Sequence, residues 1–194
     1  PPSATMTGGI IFDDKPLPAG EAELAALRGR RIGVLLTRAG ETLDPLATIG
    51  AQLTAALRDK TDASGKVDAM LSELGLDPKL AARYPARLTA AERQLVACAI
   101  ALAGQPDLLI ADDPVAGLDL LGQRRVLDLI QRHVTERNMS PLLVSHDLKA
   151  VAMLSTKIVV LRGGKVVESG EKADVFGHPK HEFARAVLSA GRHR

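Results

Sequence analysis

Two short apolar runs in this chain end in residues that can do chemistry. Asp107–Ala111 (DLLIA) runs into Asp112-Asp113-Pro114, and Pro141–Val144 runs into Ser145-His146-Asp147. A buried strand that delivers a carboxylate to the carboxyl edge of an open α/β sheet can hold Mg²⁺ beside a nucleotide. Asp112 would take that ion, through water because Mg²⁺ gives up its hydration reluctantly. Asp113, the next residue, would polarise an attacking water. If the two runs are adjacent parallel strands, His146 reaches the same edge, where its imidazole contacts a γ-phosphate or positions the water. Taken alone, Asp112-Asp113-Pro114 reads more simply as a strand end and a turn. The chemical reading gains from the order of the next segments: Ala116-Gly117-Leu118-Asp119, a helix-length stretch, and the second run. The remaining histidines, His133, His178, His181 and His193, read as structural or solvated.

A second constellation lies upstream. Thr89 followed three residues later by Glu92 is a capping box that opens a helix over Thr89–Ala103. The free N–H groups of such a helix start also attract anions, so a cap and an anion site are compatible readings of the same residues.

The elements that must position these groups follow from periodicity and breakers. Gly8–Asp14 reads as a short strand bounded by turn residues, Glu21–Leu27 as an amphipathic helix, and Arg31–Leu36 (RIGVLL) as a strand. From Leu46 to Leu102 the pattern is helical, with helices over Thr48–Arg58 and Gly65–Leu74 and breaks at Asp77-Pro78 and Tyr84-Pro85. The DLLIA and Pro141–Val144 runs are continuously apolar, as expected for strands buried on both faces, and a helix over Gly122–Arg137 separates them. Asp147–Leu154 is helical. Lys157–Leu161 and Lys165–Glu168 flank Gly163-Gly164 as a hairpin, and Glu182–Leu188 is a last helix. Strand–helix–strand alternation at both ends points to an α/β fold with a parallel sheet interrupted by a helical insertion.

Composition narrows the classes. The chain has 194 residues, enough for a sizeable core, with a net charge of +2 and 2% aromatic residues. So small a charge gives no argument for nucleic acid, and so few rings leave a single-strand binder without stacking platforms. The lone Cys98 excludes an intrachain disulfide and reads as a small core residue in a reducing compartment. No apolar run is long enough to span a bilayer and no signal peptide is visible, so a membrane role would come through a partner. The start at Pro1-Pro2, without methionine, reads as that of a fragment or a trimmed chain.

Together the stretch YPARLTAAERQLVACAIALAGQPDLLIADDPVAGLD and the later PLLVSHD resemble the second half of an ABC-type ATPase domain. The ends, with PPSATMTGGIIFDDKPL, LRGRRIG, LDPLATIGAQL and HPKHEFARAVLSA, resemble its oligopeptide/dipeptide importer branch. The resemblance implies a P-loop-NTPase-like core, a parallel sheet plus an antiparallel β portion, divided as residues 1–45 (core), 46–103 (helical subdomain carrying the signature) and 104–194 (core). It implies ATP and Mg²⁺ as ligands, with Leu88, Thr89, Ala90, Ala91 and Glu92 as the signature. Gly117, Leu118 and Asp119 would be the D-loop, Thr37 the Q-loop position, Asp112 the metal ligand, and Asp113 with His146 the catalytic pair. Implied partners are a second ABC ATPase domain, transmembrane permease subunits and a substrate-binding protein, with no nucleic acid. The location would be peripheral, at the cytoplasmic face of the membrane.

The chain departs from the family pattern at several positions. The family's LSGGQ is here LTAAE, placing two Cβ atoms where glycines let the backbone approach a phosphate. Asp113 is one methylene shorter than the family's glutamate, and Thr37 is shorter than the Q-loop glutamine. No G-x-x-x-x-G-K-[ST] phosphate loop occurs in the sequence. Ser64-Gly65-Lys66 lacks its spacing and reads as a helix start; in the family the loop precedes the segment matching Pro1. These departures point to the degenerate half of an asymmetric ATPase pair. The alternatives are a catalytically inactive ABC-like module in a transporter complex and a soluble non-transport ABC ATPase.

Overall fold

The computed structural model describes residues 7–191; Pro1–Met6, which carry part of the family resemblance, and His193 lie outside them. The expected single strand near the start is a small antiparallel hairpin, β1 (Ile11–Phe12) with β2 (Lys15–Pro16). Asp13 and Asp14 both adopt positive φ, 54° and 57°, the conformation a two-residue hairpin turn requires and that aspartate tolerates. Helix α1 (Glu21–Leu27) comes next, then strand β3 (Ile32–Leu35). Arg31 ties the hairpin to the sheet: its guanidinium meets Asp107 at 2.7 Å and Asp13 at 3.0 Å and lies 4.9 Å from the centre of the Phe12 ring.

The helical excursion comprises α2 (Ile49–Ala56), α3 (Ala63–Glu73) and α4 (Ala90–Ala103), with 3₁₀ turns at Pro78–Ala82 and Pro85–Arg87. Each start has the chemistry its sequence offers. Thr48 and Asp62 accept from backbone N–H groups at the openings of α2 and α3, and Thr89 with Glu92 forms the expected capping box on α4. Gly65-Lys66 sits in the first turn of α3, with the Lys66 ammonium 2.7 Å from Asp59. The chain then returns as β4 (Leu108–Asp112), α5 (Leu120–Arg137), β5 (Ser140–Val144) and α6 (Leu148–Leu154). A second hairpin, β6 (Lys157–Arg162) with β7 (Lys165–Glu171), and helices α7 (Lys172–Gly177) and α8 (Glu182–Gly191) complete it. Among the described residues no helix is long and apolar enough to cross a membrane.

Strands β3, β4 and β5 form one parallel sheet in that order, with Leu35 opposite Ala111 and Ala111 opposite Leu143. One face is sealed: Leu35 and Leu109 are fully buried in an apolar core shared with α2, α3, α4 and α5. Packing here is close, since a Cβ at Gly33 would come within 2.5 Å of the Ala101 carbonyl oxygen on α4. The other face corrects the expectation of strands buried on both sides. Val34 is 44% exposed, and Leu142 and Val144 are 55% and 54% exposed. Handedness supplies the reason. Both β3-to-β4 and β4-to-β5 step in the same direction across the sheet, so right-handed crossovers carry α4 and α5 to the same side.

Candidate functional site

The register of the sheet brings the two chemical runs together. Asp112 pairs with Val144, so the residues after each strand leave the sheet side by side at its carboxyl edge. The Asp113 N–H donates to the Val144 carbonyl at 2.7 Å, and its φ of 46° turns the chain sharply there. That turn points the Asp113 carboxylate back at the end of β5. One oxygen accepts from Ser145 Oγ at 3.0 Å, and the other lies 3.1 Å from His146 Nδ1. Ser145 Oγ in turn accepts from the Asp147 N–H at 3.0 Å, while the Asp147 carboxylate caps α6. His146 is 84% exposed at the side chain, so its ring stands at the surface with one nitrogen turned to Asp113.

Asp112 keeps its carboxylate exposed and without a partner among the described residues. A single free carboxylate at a sheet edge suits Mg²⁺, which retains most of its waters and takes the rest of its shell from phosphates. Among the described residues there is no cluster of three or more metal-ligating side chains. The Asp112 backbone carbonyl is engaged by the Thr37 hydroxyl at 3.0 Å. Thr37 therefore reaches the same strand end, by way of the Asp112 backbone and not its carboxylate.

Of the remaining expected residues, Thr37, Ala90, Gly117 and Leu118 line a neighbouring cleft of about 390 Å³, together with Gly40, Gln94 and others. Ala90 and Ala91 are exposed at the start of α4, whereas Leu88 is 5% exposed and belongs to the core. The Glu92 carboxylate accepts from both the N–H and the hydroxyl of Thr89, at 2.7 and 2.9 Å. Asp119 caps α5 through the Gly122 N–H at 2.7 Å. The structure thus places Asp112, Asp113 and His146 at the strand ends and Thr37, Ala90, Gly117 and Leu118 around the cleft, while Leu88, Thr89, Ala91, Glu92 and Asp119 line neither.

Two residues escape a reading of the sequence. Ser145 holds Asp113; its signal is its place directly before His146 at a strand end. Gln94 is buried at 3% exposure, a polar residue inside the apolar run of α4. Bordering the cleft, the Arg38 guanidinium pairs with the Glu41 carboxylate and Arg93 donates to the Leu88 carbonyl at 2.7 Å.

Known proteins resemble this chain over nearly all of its length. It is 31% identical over 196 residues to the oligopeptide transport ATP-binding protein OppD of Lactococcus lactis subsp. cremoris (strain SK11), covering 97% of this chain and 58% of that protein. It is 33% identical over 199 residues to the dipeptide transport ATP-binding protein DppD of Bacillus subtilis (strain 168), covering 98% of this chain and 59% of that protein. The chain therefore spans somewhat under two thirds of the length of the curated relatives it matches. In fold it is similar to the dimeric ATP-binding cassette MJ0796 bound to ADP and Pi. That likeness has a TM-score of 0.76 at 23% identity and covers 85% of this chain and 73% of that one. The model of the ABC transporter family matches residues 3–116, which hold Thr37, the Leu88–Glu92 segment, Asp112 and Asp113. With more than half of its length matched by that model, strands β3 and β4 among the matched residues, the chain belongs to the ABC transporter family.

Proposed function

We propose that the chain is the ATP-binding component of an ABC importer for peptides, and the weaker half of an asymmetric ATPase pair. The observation that carries this reading is the convergence of Asp112, Asp113 and His146 at one sheet edge, the first at the end of β4 and the others just past the ends of β4 and β5. In this reading residues 1–45 and 104–194 form the ATPase core and 46–103 the signature-bearing subdomain. Asp112 would hold Mg²⁺, which would supply positive charge beside the phosphates of ATP. Asp113 takes a proton from an attacking water, and Ser145 fixes the carboxylate while it does so. His146, with Nδ1 turned to Asp113, would contact a terminal phosphate. A second ATPase domain supplies the facing surface, permease subunits receive the motion, and a binding protein delivers peptide at the other side of the membrane. The OppD and DppD relatives, named for oligopeptide and dipeptide transport, support the substrate class.

The test is ATP hydrolysis by the assembled transporter carrying Asp113→Asn in this chain. A general base contributes on the order of a hundredfold or more, so turnover should drop by about that factor where the site served by Asp113 carries the turnover of the pair. Unchanged turnover would place the working base in the partner.

A second reading, a module that has kept the fold without hydrolysing ATP, is favoured by specific contacts. The Thr37 hydroxyl is engaged by a backbone carbonyl and the Glu92 carboxylate by its own helix cap, so neither is free to face a ligand. ATP-dependent closure of the assembled ATPase pair separates the two readings, since a pure scaffold shows none.

A further inference from the structure

Gln94 is the single buried polar side chain among the described residues, and both ends of its amide leave the helix that carries it. Its Oε1 accepts from the Gly40 N–H at 3.1 Å, in the loop after β3. Its Nε2 donates to the Pro114 carbonyl at 3.3 Å, in the turn after β4. The amide orientation is fixed by chemistry, because only the oxygen can face an N–H and only the NH₂ a carbonyl. Contact with the loop is intimate: a Cβ on Gly40 would lie 2.7 Å from both the Arg93 carbonyl carbon and the Gln94 nitrogen. The Thr37 hydroxyl, 3.0 Å from the Asp112 carbonyl oxygen, bridges the same two segments directly. Gln94 also lines the cleft between them.

We infer that Gln94 is a positioning residue that makes the loop 37–42, the turn 113–118 and the start of α4 move as one body. Displacement of Asp113 drags Pro114, and Gln94 passes that displacement to Gly40 on one side and to the Thr89–Glu92 cap on the other. An apolar side chain would fill the space but could not transmit it, because hydrogen bonds in a dry site fix direction as well as distance. What this link does in an ATP cycle rests on the function proposed for the chain. The link itself does not, so an experiment on this chain alone can break one without the other.

The experiment is residue-resolved amide hydrogen exchange on the 194-residue chain, expressed as protection factors. In Gln94→Leu, the Gly40 amide loses its acceptor and the Pro114 carbonyl its donor. Protection should fall roughly tenfold or more at Gly40 and also at Ala116 and Leu118, whose N–H groups close the turn. The β6–β7 hairpin should keep wild-type protection. Gln94→Glu is the conservative rescue. Burial raises a carboxyl pKa, so at about pH 5 the neutral acid accepts from Gly40 and donates to Pro114. At about pH 8 the carboxylate opposes the Pro114 carbonyl, and protection should be lost at the same amides. If Gln94→Leu does not fold, the pH contrast in Gln94→Glu carries the test. Three results would overturn the inference: loss confined to Gly40, a uniform loss that includes the β6–β7 hairpin, or equal protection of Gln94→Glu at both pH values.

Discussion

His133 shows how burial sets a charge in this chain. It stands half-buried on α5, where Nδ1 donates to the Leu129 carbonyl at 3.0 Å. Burial, the largest influence, holds its pKa below the ordinary histidine value. The folded state therefore resists protonation that the unfolded chain accepts. Stability from this residue is complete above the unfolded pKa of about 6.5 and is lost as pH falls through that value towards the depressed folded one. Urea titrations should show a falling midpoint below about pH 6.5 in the native chain and a flatter acid limb in His133→Gln; parallel limbs would exclude His133 as the source. At this scale the spacing of the two apolar runs made the meeting of Asp112, Asp113 and His146 at one sheet edge legible. The sequence was not legible where a side chain's role depends on what crosses it in space. Nothing in the run AAERQLVACAIALA states that Gln94 faces a loop more than fifty residues upstream and a turn twenty residues downstream. Nor does Ser145 announce that its hydroxyl will meet Asp113, since that bond needs the β4–β5 register and the left-handed turn at Asp113 together.

Helix α4 is the element on which both groups of site residues depend. Its start carries the exposed Ala90 and Ala91, its second turn carries Gln94, and its remaining turns bury Val96, Cys98 and Leu102 against the sheet and α2. The capping box fixes where that helix begins, and so the height of Ala90 relative to the cleft. Thr89→Ala removes both hydrogen bonds of the capping hydroxyl to Glu92 and should cost about 1 kcal/mol, measured by chemical denaturation. A larger loss would mean that Thr89 also holds the preceding 3₁₀ turn. Cys98 gives an independent probe of the same helix, because burial pushes its thiol pKa up to about 12 and leaves it unreactive while α4 stays docked. Helix positions were readable because capping residues and apolar periodicity act within a few residues. The second strand of the opening hairpin was not, because Lys15-Pro16 carries no strand signal and forms only through the turn at Asp13-Asp14.

Across the whole molecule the parallel sheet is lopsided. A continuously apolar strand looks the same in sequence whether one face or two are covered, and only the order β3-β4-β5 reveals that both crossovers lie on one side. The open side presents Val34, Leu142 and Val144, all more than 40% exposed, and the separate β6–β7 hairpin has exposed Val159, Leu161 and Val166 of its own. Parallel sheets are ordinarily covered on both faces, and contiguous apolar surface on a folded domain marks a place where something else packs. Two consequences can be measured on the chain as it stands. The folded protein should bind a hydrophobic dye such as ANS. The double substitution Leu142→Thr, Val144→Thr should weaken that binding while shifting stability by less than about 1 kcal/mol, because both side chains already face solvent. Leu109→Ala on the sealed face should behave oppositely, with a stability loss of about 2–5 kcal/mol and no fall in dye binding by the protein that remains folded. If the threonine pair unfolded the chain as Leu109→Ala does, the outer face would already be part of the core, and the asymmetry drawn from strand order would be wrong.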